Sequence, residues 1–110
     1  MSGNGRESER ADIQDLGDGH FAIRSDLTFE SASRILLQSK QMFASCDRIS
    51  VEMSAAGEAD SAGLALLLEW ISWTRHTNRE ITYEKIPERL LAIARISEVS
   101  DLLGAASSKS

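Results

Sequence analysis

Residues 49–84 read ISVEMSAAGEADSAGLALLLEWISWTRHTNREITYE, and they change periodicity twice. Ile49, Val51 and Met53 alternate with Ser50, Glu52 and Ser54, the period of a half-buried strand. From about Ser61 to Thr77 the spacing becomes helical. Leu64, Leu67, Leu68 and Ile71 fall on one stripe, and Ala65, Glu69, Ser72 and His76 on the opposite one. Asp60 or Ser61 is suited to cap that helix, and Arg75 and His76 lie where cations suit its end. Ile81 and Tyr83 then alternate with Thr82 and Glu84, a second strand. Strand–helix–strand at this length predicts two parallel strands joined by a crossover helix.

Outward from this unit the pattern continues. Upstream, Ile13 and Leu16 fit a short strand and Asp18-Gly19 a hairpin turn, with Phe21, Ile23 and Leu27 in a second strand. Thr28 suits a helix N-cap, with Glu30 in the first turn. Phe29, Ala32, Ile35, Leu36, Met42 and Phe43 then recur at helical spacing as the apolar side. Downstream, Pro87 fits the first turn of a helix carrying Leu90, Leu91, Ile93, Ala94 and Ile96. Val99, Leu102 and Leu103 form a last short helix. The expected class is α/β, a mixed sheet with helices on at least one face.

The chain has 110 residues, one domain's worth, with loose ends expected at residues 1–10 and 105–110 and a folded unit over 11–104. Twelve Lys and Arg against seventeen Asp and Glu give a net charge of −5, which argues against nucleic acid or an anionic membrane surface as partner. The polar first residues resemble no secretory signal, and the longest apolar run, Leu64–Leu68, is far short of the about 20 residues a span needs. A cytoplasmic location and no membrane insertion are therefore expected.

Chemistry-bearing clusters are sparse. His20 and His76 lie far apart with no ligand-spaced Cys or carboxylate, so no metal site is expected. Cys46 has no flanking His or Lys and reads as an ordinary half-buried thiol. No nucleophile elbow, phosphate loop or dinucleotide fingerprint is present, and neither an enzyme nor a cofactor is expected.

One segment stands apart: Asp60-Ser61-Ala62-Gly63-Leu64, where a loop becomes a helix. Free N–H groups and partial positive charge at such a place could hold a phosphate on Ser61. Gly63, without a Cβ, would let another surface come close. The plain alternative is that Asp60 and Ser61 only cap the helix. No basic residue lies between Arg48 and Arg75, while Glu52, Glu58, Asp60 and Glu69 do, so the segment suits a basic partner or is simply a solvated acidic face. Leu66, Trp70 and Trp73 fall between the two helical stripes. Trp70 reads as core, whereas Leu66 and Trp73 are candidates for an apolar contact rim.

The string from Asp60 to Leu103, DSAGLALLLEWISWTRHTNREITYEKIPERLLAIARISEVSDLL, resembles the second half of a STAS domain, with good coverage from about Ile49 to Leu103. The D-S-x-G-L junction resembles the site of anti-sigma-factor antagonists. GLALLLEW and IPERLLAIARISEVSDLL are closer to the MlaB-type branch, small cytoplasmic subunits of an ABC system that moves phospholipids between bacterial membranes. The resemblance implies a STAS-like α/β fold, with a four- or five-strand mixed sheet and about four helices packed against it. It implies no catalysis. Its implied partner is the ATPase subunit of the transporter (MlaF-like), in complex with its permease, bound through Asp60, Ser61, Ala62 and Gly63 with Leu66 and Trp73 at the rim. The chain would then lie at the inner membrane through that partner and support outer-membrane lipid asymmetry. The antagonist branch implies instead an anti-sigma factor kinase as partner and Ser61 as phosphoacceptor. Ala62, where antagonists commonly carry a second hydroxyl residue, departs from that pattern.

Overall fold

The hairpin turn at Asp18-Gly19 starts the architecture. Asp18 and Gly19 both have positive φ, 58° and 79°, the turn geometry that matches the twist of paired strands. A Cβ on Gly19 would strike the carbonyl oxygen of Arg48, so only glycine lets this turn lie against the next strand. The computed structural model describes residues 12–107. Strand β1 (Ile13–Gly17) pairs antiparallel with β2 (His20–Ile23). Helix α1 (Phe29–Phe43) carries the chain to β3 (Arg48–Glu52), and α2 (Ser61–His76) carries it to β4 (Glu80–Glu84). The pairs β2–β3 and β3–β4 are parallel, so the sheet is mixed, four-stranded and in chain order. Helices α3 (Glu88–Ile96) and α4 (Ser100–Ala106) follow.

Period two divides the sheet into unlike faces. Phe21, Ile23, Ile49, Val51 and Tyr83 are buried on the helix-covered face. Register places His20, Ser50 and Thr82 in one row of the other face, and Ala22, Glu52 and Glu84 in the next. Two buried hydrogen bonds fix α2 over the core. Trp70 Nε1 donates to Ser39 Oγ at 2.8 Å, and the Tyr83 hydroxyl donates to the Leu67 carbonyl at 2.6 Å. Burial holds the Tyr83 phenol well above its ordinary pKa.

Two expectations need correction here. Phe29 is not core; it is 80% exposed. The buried line of α1 runs through Ser31, Ile35, Ser39 and Phe43 instead. Its serines are tolerated inside because Ser31 Oγ donates to Asp26 O at 2.6 Å and Ser39 Oγ to Leu36 O at 2.8 Å. The second correction concerns the chain end. Residues 105–107 are not loose: Ala106 is buried on α4, and Ser107 bridges Tyr83 as an added parallel partner. Residues 1–11 and 108–110, including the expected N-terminal extension, lie outside the described residues.

A single ion pair ties the first strand to α1. Buried Asp12 accepts from Arg34 Nε at 2.6 Å, from Arg34 Nη2 at 3.0 Å and from Gln38 Nε2 at 3.0 Å. The Arg34 hydrogen bonds hold the Asp12 carboxyl below its ordinary value of 3.8, against the opposing pull of desolvation. A depressed folded pKa stabilises above the unfolded value and is lost as pH falls through the folded one. Asp12→Asn should therefore cost about 1 kcal/mol at neutral pH, a figure kept small because Arg34 is half-exposed. The gap to wild type should narrow as pH falls below the ordinary carboxylate value of 3.8 and close once the depressed folded pKa is passed. Urea midpoints measured across pH 2–7 check this.

Candidate functional site

Two loops lie side by side at one end of the sheet. Leu27, after β2, pairs in parallel with Ala59, after β3. Leu27 N donates to Glu58 O at 2.7 Å and Asp60 N to Leu27 O at 3.1 Å. Asp26 Oδ1 accepts from Glu58 N at 2.8 Å. The starts of α1 and α2 are thereby locked together.

Asp60 completes the lock. Its backbone is extended, as an N-cap requires, and Oδ1 accepts from Ala62 N at 2.8 Å. Oδ2 accepts from Phe29 N at 3.1 Å, across to the other helix. One carboxylate thus serves the positive ends of two helices. Thr28 is the N-cap of α1, as expected, in a reciprocal capping box with Ser31, whose Oγ accepts from Thr28 N at 3.0 Å, and Asp60 takes the Phe29 amide.

This geometry revises several expectations. Three of the first four amides of α2 are already taken: Ala62 N by the Asp60 carboxylate, Gly63 N and Leu64 N by the Asp60 carbonyl at 3.0 and 3.3 Å. A phosphate on Ser61 would meet an acidic neighbour rather than a set of free donors. Ser61 itself is exposed, and its hydroxyl makes no hydrogen bond among the described residues. Gly63 is buried, and a Cβ there would strike the Leu27 carbonyl oxygen. Its missing side chain serves close packing inside the chain rather than approach by another surface. Leu66 is 3% exposed and reaches the surface only in the lining of a groove between α1 and α2. Ala62 is half-buried beside Ser61.

Trp73 is not brought to this junction. It lies twelve residues along α2, about 18 Å by helical rise. Its ring rests 6.3 Å from that of Phe43, under the Arg79 guanidinium at 4.7 Å. Arg79 is held there by carbonyls of Cys46 and Ala44 at 2.9 and 2.7 Å. The acidic stretch is also divided. Glu58 and Asp60 belong with the junction and Glu69 lies two turns along α2, whereas Glu52 sits on the other sheet face beside Glu84. No cluster of three metal-ligating side chains occurs among the described residues.

Residue patterning did not identify the surface next to the junction. Phe29 and Leu37 of α1 stand exposed, and Phe29, Ala32 and Leu36 form an apolar groove with Ala65, Leu66 and Glu69 of α2. Helical spacing alone predicts Phe29 on the apolar side with Ile35 and Phe43. The serines at 31 and 39, on the true buried line, were the available sign that the apolar side is rotated.

A four-strand mixed sheet with four helices is the α/β arrangement of a STAS domain. The chain belongs to the family described as "Mlab, STAS domain", whose model matches residues 13–104. The solved structure of the anti-sigma factor antagonist SpoIIAA in its unphosphorylated form is similar in fold, with a TM-score of 0.58 at 11% identity. The match covers 76% of this chain and 80% of SpoIIAA. Among curated proteins, no sequence matches. STAS domains are in general non-catalytic and act by binding other proteins. No helix among the described residues is long and apolar enough to cross a membrane.

Proposed function

We propose that this chain is a non-catalytic subunit that binds the cytoplasmic ATPase of an ABC-type phospholipid transporter and stabilises or activates it. In that role it sits at the inner membrane through its partner and contributes to outer-membrane lipid asymmetry. The observation that carries the reading is the Ser61 hydroxyl, exposed and unengaged on a rigid helix start whose neighbouring donors and acceptors are already paired. Asp60 and Ala62 flank it, and Gly63 fixes its height above the sheet. Membership in the MlaB-like family supports an ABC partner over others. Binding would act by mass action, favouring whichever ATPase state accepts the chain.

The second reading is an anti-sigma-factor antagonist switched by a kinase at Ser61. The accessibility of Ser61 and the likeness to SpoIIAA favour it. The occupied amides and Ala62 weigh against it. Affinity capture from the native host separates the two: an ABC ATPase with its permease supports the first, a small kinase the second. Ser61→Glu should weaken partner binding at least about thirtyfold, the loss of a central contact. The same variant should shift the thermal midpoint by less than about 3 °C, since Ser61 caps nothing. Calorimetric titration beside a melting curve reads both.

A further inference from the structure

Beside Ser61, the first halves of α1 and α2 enclose a groove of about 310 Å3. Phe29, Ala32 and Leu36 form one wall at three- and four-residue spacing, and Ala65, Leu66 and Glu69 form the other. From Phe29 to Leu36 it runs about 10 Å, two helical turns. Phe29 and Leu37 extend its apolar rim into solvent at 80% and 71% exposure. Two large apolar side chains left in water on one side of a small domain mark a contact surface.

Charge narrows the occupant. Glu69 lines the groove two turns along α2, and Glu30 stands in the first turn of α1 beside Phe29. Arg34 nearby spends Nε and Nη2 on Asp12, and Lys40 stands at the far end, beyond Leu37. A second copy of the chain would bring the same carboxylates and be repelled. An anionic lipid would be repelled for the same reason. Ser33 and Glu69 are the polar side chains of the lining, too few to orient a polar small molecule.

We propose that this groove receives an amphipathic helix of the ATPase partner, with apolar side chains one turn apart and a flank of Lys or Arg facing Glu30 and Glu69. The inference rests on the docking reading above and adds where and by what chemistry the partner is held. Such a mode places apolar anchors in a groove and fixes register by charge.

The test uses the full chain with the purified ATPase subunit of the host's phospholipid-trafficking transporter. Phe29→Ala should weaken binding at least about tenfold without lowering the thermal midpoint, because Phe29 is outside the core. Glu69→Gln should flatten the salt dependence of affinity. Leu37→p-benzoylphenylalanine, irradiated in the host, should give an adduct on a Lys/Arg-flanked helix of the ATPase. If Ser61→Glu loses binding while Phe29→Ala, Glu69→Gln and the cross-linker report nothing, the groove proposal fails and the docking reading stands. If no variant changes ATPase binding, or if the wild type does not bind, both fail. An adduct with a second copy, with residues 1–11 of the same chain, or with any protein other than the ATPase overturns the occupant named here.

Discussion

Gly63→Val should leave the domain largely unfolded at temperatures where the wild-type chain is intact. The position is buried in the first turn of α2, and the atom a side chain would add meets the Leu27 carbonyl oxygen and Leu27 Cβ. The obstacle is backbone, and it cannot rotate away. The pairing that puts it there also holds both loops, through Leu27 N to Glu58 O and Asp60 N to Leu27 O. To make room, α2 must lift from the sheet, which loosens Leu64 and Leu67 in the core. Overpacking of this kind costs about 1–3 kcal/mol, and valine's branch adds to it. Gly63→Ala should be milder, since alanine regains up to about 1 kcal/mol of helix propensity. For a domain of this size each kcal/mol moves the midpoint roughly 4–8 °C. Circular dichroism melts of the series Gly, Ala, Val should fall in that order. A valine variant melting within about 3 °C of wild type would show that α2 does not sit as described.

Asp60→Ala should weaken two helices at once. An N-cap is worth about 1 kcal/mol, and this carboxylate serves Ala62 on α2 and Phe29 on α1. The loss should be about 2 kcal/mol, near the sum of two caps. Asp60→Ser offers one oxygen and should restore about half. Hydrogen exchange distinguishes a shared cap from a single one. In Asp60→Ala the amides of Phe29 and Ala62 should both exchange faster, whereas acceleration at Ala62 alone would show that the bridge to α1 carries no stability.

The fold was legible because its elements are strongly periodic. Ile49–Met53 alternates, the Leu64–Ile71 stripe is helical, and Asp18-Gly19 is a turn with few alternatives. What failed were inferences about which side chain meets what, since periodicity ranks faces but cannot see neighbours. Helical spacing alone places Phe29 on the inward side; Ser31 and Ser39 hold that line instead because Ser31 Oγ bonds the Asp26 carbonyl and Ser39 Oγ accepts from the buried Trp70 Nε1. Glycine at 63 suggests close approach by an outside surface; the approaching atom belongs to Leu27 of the same chain. Residues 105–107 are small or polar, which predicts a loose end, yet Ala106 is buried and Ser107 bridges Tyr83. Asp60 was recognised as a cap, but its second oxygen serves a helix thirty-one positions away in sequence, which no local pattern reveals.

The central claim is that the Ser61 junction is where the ATPase subunit grips this chain. Hydrogen exchange on the complex with that purified subunit tests it most directly. The account predicts slowed exchange across residues 58–66 and 29–37, with 80–98 unchanged. Complex formation that leaves 58–66 exchanging as in the free chain would contradict it.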